Sequence, residues 1–362
     1  MKCICTKARK IAPAPLSWNS PTGPTVSKRF FKTKTDIQSG DSPELQDYEG
    51  QFRSIIDDGI HAVLSTNERA YWAGSKGRCR LPNDPARTAL GIDGEAYYLD
   101  DGEAFKVSYG DKPEVHALDR HHFIAHGCSD SGWFGVSAEG LITNDEGVVL
   151  GDLGMAADPA EIEIFSGDEQ AAIVKGTDLW FVENGQLKKI SQNFPTNVRE
   201  LFWEKGALWG WRKDTAGQSA VRFEQDQIVF QSASIPLSIL FKVVTDRGVV
   251  YAISSIEGEA VHRISLSDGS AFTIEGSTTP FTRILDVVAI EIRHHVKILF
   301  AGTSGKEGRL VILDPESGAT QSLAVPDIVP KDWDFAQWMI QENRIWLGIG
   351  VEEHTWLLEY RE

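Results

Sequence analysis

An all-β fold assembled from a repeating unit of short strands is what this sequence predicts, and three observations carry the prediction. The first is a repeat. Between Asp246 and Ile274 lie three short apolar runs, Val249-Val-Tyr-Ala-Ile253, Ala260 to Ile264 and Ala271 to Ile274, each too short for a helix and each bounded by turn residues. Forty-nine residues on, Leu310-Val-Ile-Leu313-Asp-Pro-Glu-Ser-Gly318 repeats the second half, and Ile264 to Gly269 matches Leu313 to Gly318 without a gap. The second is turn chemistry: Asp93-Gly94, Asp101-Gly102, Asn184-Gly185 and Asp268-Gly269 fall between apolar runs, where hairpin turns of type I′ need positive φ. The third is composition. Thirty-three Gly and eleven Trp accompany only three Met, and the longest helix candidate is the weak stretch Ser42–Asp58.

The rhythm then runs along the chain. Strand centres fall at Tyr97-Tyr98, Trp133-Phe134, Leu179-Trp180-Phe181, Leu208-Trp209, Val250-Tyr251, Leu299-Phe300 and Ile345-Trp346. Most are followed by a second run of the same pattern: Ala104–Ser108, Gln186–Ser191, Ala220–Glu224, Ala260–Ser265, Arg309–Asp314 and Thr355–Glu359. Seven units at a mean spacing of about 41 residues lie within the range of radially repeated sheets. Closing such units into a ring removes most exposed edges. The predicted architecture is therefore a seven-bladed β-propeller over residues 51–362, closed by an N-terminal strand drawn from Gly59–Leu64 or Ala70–Trp72, and preceded by an extended arm, residues 1–50. In the arm, Pro13, Pro15, Pro21 and Pro24 favour solvated, extended backbone.

Leu313-Asp-Pro-Glu-Ser-Gly318 resembles the Leu-Asp-Pro-x-Thr-Gly turn of NHL-, quinoprotein- and lactonase-like β-propellers, and Ile264-Ser-Leu-Ser-Asp-Gly269 resembles a weaker copy. The resemblance implies the propeller fold and covers two units by motif, the other five by rhythm. Trp333-Asp334 has no Gly-His partner, as WD40 repeats require, and the absence of a Gly-Gly dipeptide argues against kelch repeats. Asp130-Ser-Gly132-Trp-Phe134 resembles part of the Asp-box of sialidase-like propellers, with Cys128 where Ser or Thr belongs.

Charge is divided unevenly. Residues 1–35 carry +8, with no acid, so the remainder of this −16 chain carries −24. That balance disfavours nucleic acid as a partner of the body. Cys3, Cys5, Cys79 and Cys128 make no disulfide framework and no zinc knuckle. No run of about 18 apolar residues marks a membrane span, and Ile11-Ala-Pro-Ala-Pro-Leu16 is too short and proline-broken for a signal-peptide core. A cytoplasmic or virion-associated location is the expectation.

One cluster has the residue types of a metal site, His121-His122-Phe-Ile-Ala-His126-Gly-Cys128. On a single strand His122, His126 and Cys128 share a face, and imidazole with thiolate suits zinc or copper. On a straight strand His122 and His126 would lie about 13 Å apart, so joint ligation needs a bend at Gly127. A strand with a buried Cys and partly exposed imidazoles is the commoner outcome of such a pattern. His294-His295 reads as part of one apolar strand from Ile290 to Phe300 and as structural. Gly302-Thr-Ser-Gly305-Lys306 lacks the length and the Ser/Thr of a phosphate-binding loop, no Gly-x-Ser-x-Gly elbow is present, and no cofactor is expected. Trp209-Gly-Trp211 could form a stacking platform, but packing between repeats is the commoner use of such pairs.

The arm is the remaining unusual feature. Trp18, Arg29, Phe30 and Phe31 mix large apolar and basic side chains in an extended segment, which gains stability only by docking onto the body or a neighbouring chain. The expected function is a non-enzymatic interaction or structural module, joined through residues 1–45 to protein partners in a multi-subunit assembly such as a virion or phage-tail-like particle. The alternatives are a metal-dependent propeller hydrolase or lyase, and a carbohydrate-binding propeller.

Overall fold

The structure is a computed structural model. It describes residues 30–32, 36–38, 41, 43–57, 62–66, 69–72, 78–80, 88–92, 95–100, 102–109, 113–118, 122–129, 131–154, 161–167, 170–224, 227–236, 240–244, 248–254, 256–292, 294–341 and 344–361. Trp18 and Arg29 lie outside these residues.

Among the described residues there is no α-helix, and the strands form eight sheets. In chain order the sheets start with the strands Phe52–Asp57, Thr88–Ile92, Phe123–Ser129, Ile162–Ser166, Val198–Glu204, Leu240–Val244, Arg283–Ile292 and Phe335–Gln341. Each of the first seven continues as an antiparallel meander, first strand to fourth. Nearly every first strand packs against the first strand of the next sheet, and the last of them, Phe335–Gln341, packs against Phe52–Asp57. The sheets thus close into a propeller ring whose first strands line the centre. The sequence rhythm marks seven units. The ring counts seven sheets of four strands and an eighth, the seventh in order, with five.

Closure comes from an unexpected strand. Glu44–Glu49 pairs antiparallel with His354–Arg361, from Glu44 opposite Glu359 to Glu49 opposite His354, and completes the last sheet as its outermost strand. The strands Ala62–Thr66 and Arg69–Trp72, from the segments expected to do this, belong instead to a full sheet of their own with Phe52–Asp57 and Arg78–Arg80. Within the weak helix candidate Ser42–Asp58 the described residues form two strands, Glu44–Glu49 and Phe52–Asp57. They meet at Gly50, whose φ of 98° turns the chain out of one sheet and into the next.

The repeated turn explains the sequence match. Gly269 N–H donates to Ser265 O at 2.9 Å, and Gly318 N–H donates to Asp314 O at 2.8 Å. Both glycines are left-handed, with φ of 75° and 73°, and both turns join the third and fourth strands of their sheets. Only Gly269, not Asp268, has positive φ, so this loop is a longer turn and not the expected type I′. Asn184-Gly185, with φ of 50° and 66°, does have the type I′ pattern. His262 is 8% exposed in its strand beside Thr273. His294 is not within a strand: it sits at the turn between Arg283–Ile292 and His295–Ser304, with φ of 71°.

The core lies between sheets, because each twisted sheet buries one face against each neighbour. Trp209 and Trp211 pack with Phe202, Val250, Ala252 and Ile264 between the fifth and sixth sheets, so they are packing residues. Trp346 meets Phe52, Ile55, Leu64 and Tyr71 where the ring closes. Each such fully buried side chain contributes about 1.5–3 kcal/mol.

The fifth strand of the seventh sheet is the first strand among the described residues. Phe30–Lys32 runs parallel to Arg283–Ile292, Phe30 opposite Ala289 and Lys32 opposite Glu291. It lies on the ring-centre side of that sheet. Just beyond it Asp36 pairs with Lys297, and Ile37 is wholly buried among Val288, Ile290, Leu299 and their neighbours. Part of the segment read as an arm is therefore built into the ring. Replacing Ile37 with Val removes one methylene from this contact and is expected to cost about 1 kcal/mol in urea unfolding. A cost near zero would mean that Ile37 is not held in the core.

Candidate binding cleft and channel strand

Two places combine concavity with chemistry: the ring centre, and a cleft between the fourth and fifth sheets. At the ring centre each first strand is the edge of its sheet. Along the seventh sheet that edge is taken by Phe30–Lys32. A parallel partner adds backbone hydrogen bonds without requiring particular side chains.

The residues of the metal pattern are placed as follows. Phe123–Ser129 is the first strand of the third sheet, and a bulge between Phe123 and Ala125 shifts its register against Gly132–Ser137. His122 lies ahead of that strand and is exposed, against Gly102. His126 is 1% exposed, and its Nδ1 accepts a hydrogen bond from Trp133 Nε1 at 2.9 Å. That bond puts the ring's proton on Nε2 in the neutral form. Burial disfavours the charged imidazole and lowers its pKa to about 3. Cys128 is half-buried, and its N–H donates to Ser166 Oγ of the next sheet. Among the described residues, no group of three or more His, Cys, Asp or Glu is placed to hold a metal ion. The structure makes His126 part of an aromatic cluster in which Trp133 also stacks on Tyr97, at a centroid distance of 5.7 Å.

The cleft encloses about 600 Å³, a volume in the range of ligand pockets. Three pieces of chain form it. The strand Ile162–Ser166 supplies Glu163 and Phe165, and Glu161 precedes it. The turn between Ala171–Lys175 and Asp178–Glu183 supplies Lys175 and Asp178, and left-handed Gly176 allows it to turn so sharply. The link from the fourth sheet to the fifth supplies Phe194 and Pro195. That link is fixed by Phe194 N–H donating to Thr177 O at 2.8 Å and by the Phe194 ring against Phe223 at 5.0 Å.

The cleft is apolar below and acidic at its rim. Phe165, Phe194, Val198 and Leu201 are nearly fully buried, while Glu161 is exposed. Lys175 is largely buried and lies 3.9 Å from Glu161; Asp178 pairs with Lys189 at 3.0 Å. Three carboxylates thus line the cleft against one ammonium. Sequence reasoning missed this site because its residues come from three separated pieces of chain, none with a motif. Another residue it missed is Asp286. This carboxylate, 5% exposed at a bulge, accepts the backbone N–H groups of Val287 and Trp338 and so ties the seventh sheet to the eighth.

The ring of meandering sheets and the strand that clasps its ends define a β-propeller protein. Solved propellers superpose on most of the chain. Sqt1 of Saccharomyces cerevisiae matches 90% of this chain and 100% of its own, with a TM-score of 0.57 at 9% identity. Dihydro-heme d1 dehydrogenase NirN, in complex with DHE, matches 87% of this chain and 75% of its own, with a TM-score of 0.53 at 12% identity. AztD of Citrobacter koseri matches 76% of this chain and 86% of its own, with a TM-score of 0.52 at 12% identity. Likeness at such identities establishes the fold alone. No protein-family profile and no curated protein sequence matches the chain.

Proposed function

We propose that this protein is a β-propeller interaction module that joins a multi-subunit assembly through the basic segment preceding its channel strand. The observation that carries the reading is the anchorage of the chain at Phe30–Lys32 and Ile37. A segment tied into the ring at that point transmits whatever it binds to the whole body. Residues 1–29 carry six of the eight basic residues near the N-terminus, no acid, and the apolar Ile4, Ile11, Leu16 and Trp18. That is the composition of a docking segment for an acidic, partly apolar protein surface.

The test is a chain lacking residues 1–29, which spares both N-terminal strands. Sedimentation velocity at matched concentrations should show the full chain in a larger species and the shortened chain as a monomer. Identical sedimentation of the two, with unchanged circular dichroism, would remove the reading. A deletion reaching residue 45 would not serve, because it also takes the strand Phe30–Lys32 and the start of Glu44–Glu49.

A further inference from the structure

We propose that the cleft between the fourth and fifth sheets is the receptor for the basic segment 1–29 of this chain. The inference rests on the docking-segment reading above and names the surface it engages. Three arguments on chemistry and reach support it.

The first is charge. Glu161, Glu163 and Asp178 line the cleft with Lys175, and Lys189 pairs with Asp178 from outside it, so the site keeps one more carboxylate than cations, whereas the segment has six cations and no anion. Opposite charge at a partly enclosed site gives both attraction and register. The second is shape. Phe165, Phe194 and Leu201 form an apolar floor, and Lys7-Ala-Arg-Lys-Ile-Ala-Pro-Ala-Pro-Leu-Ser-Trp18 sets three cations ahead of Ile11, Leu16 and Trp18. Aliphatic stems of Lys and Arg lie well on such a floor while their heads reach carboxylates at the rim. Pro13, Pro15, Pro21 and Pro24 favour extended backbone, a preference that lowers the entropy lost on docking. The third is reach. Twenty-nine extended residues span at most about 100 Å, enough to meet the cleft of the same ring or of a neighbouring copy.

The experiment uses a fluorescein-labelled peptide of residues 1–29 and the chain lacking those residues, read by fluorescence anisotropy. Saturable binding is expected, weakened at least about tenfold by the double substitution Glu161→Gln/Glu163→Gln and weakened similarly by raising salt from about 50 to 500 mM. A peptide with Ile11, Leu16 and Trp18 replaced by Ser should also bind at least about tenfold less tightly, because the floor would have nothing to cover. Circular dichroism and the urea midpoint of the double variant confirm that it folds. Glu224→Gln, on the exposed outer part of the fifth sheet, should bind as the parent does.

Absence of binding, or equal binding by the double variant, would overturn the proposal. Equal binding by the Ser-substituted peptide would also overturn it, since attraction would then be bare charge. The two readings fail separately. If the full and shortened chains sediment alike while the peptide still requires the cleft, the assembly role falls and the cleft assignment stands. If shortening abolishes assembly but the double variant still binds peptide, the assembly role stands and the cleft assignment falls.

Discussion

Gly318→Ala should lower stability by about 3 kcal/mol, read as a fall in the urea midpoint. Two costs combine. The residue sits at φ of 73°, where an L side chain is strained by about 1 kcal/mol or more. A Cβ there would also run into the backbone carbonyl of Glu275, on the outer strand of the sixth sheet, which cannot rotate away. Such overpacking costs typically 1–3 kcal/mol. Gly305→Ala isolates the first cost: its φ is 64°, but nothing lies within 4 Å of the added Cβ. It should lose only about 1 kcal/mol. Equal losses in the two variants would mean that the turn at 314–318 does not abut the sixth sheet.

Acid should destabilise the ring through His126 well before its carboxylates protonate. The imidazole titrates near 6.5 in an unfolded chain, and burial against Trp133 lowers its pKa to about 3 in the fold. Protons therefore bind the unfolded chain more readily between those values. Stability is full above pH 6.5 and falls as the pH drops from 6.5 towards 3, by about 2 kcal/mol at pH 5. His262, also lowered by burial and partly opposed by Glu259, acts in the same direction. His126→Gln should be less stable than the parent at pH 7, yet its decline between pH 7 and pH 5 should be smaller by about 2 kcal/mol. Parallel declines in urea midpoint would show that another group carries the acid response.

Much of the strand pattern was legible because short apolar runs and glycine turns are local signals. The six-residue match of Ile264–Gly269 with Leu313–Gly318 points to one turn geometry used in adjacent sheets. The uneven unit spacing also has a structural cause. Most aromatic markers fall on second strands, but Leu179-Trp180-Phe181 belongs to the third strand of its sheet. Its second strand is Ala171–Lys175, centred on Ile173, midway between Phe134 and Trp209. The first sheet escaped the rhythm because its second strand, Ala62–Thr66, centres on Leu64 and carries no aromatic residue. What sequence could not give were contacts between distant segments. Glu44–Glu49 has the polar look of a linker, and only its pairing with His354–Arg361 makes it a strand. His126 looked like a ligand because a cluster of histidines beside a cysteine says nothing of the indole that will cover one of them. The cleft was invisible for the same reason, since it exists only where two sheets meet.

The way the ring is fastened bears on how the protein can be made. Asp36 must find Lys297, and Gly50 must find Thr355, whose hydroxyl donates to its carbonyl across a separation of 305 residues. A ribosome adding about 5–20 residues per second would release Glu44–Glu49 into solution many seconds before its partner exists. Over that interval both early strands have open edges, the condition under which strands pair with the wrong chain. Seven sheets can form as local four-stranded meanders while they wait, but the last gains its fourth strand only after residue 361 is free. Birth of the protein is therefore a race between fastening this clasp and aggregation. A nascent chain stalled before residue 354 should be more dependent on chaperones than the finished ring.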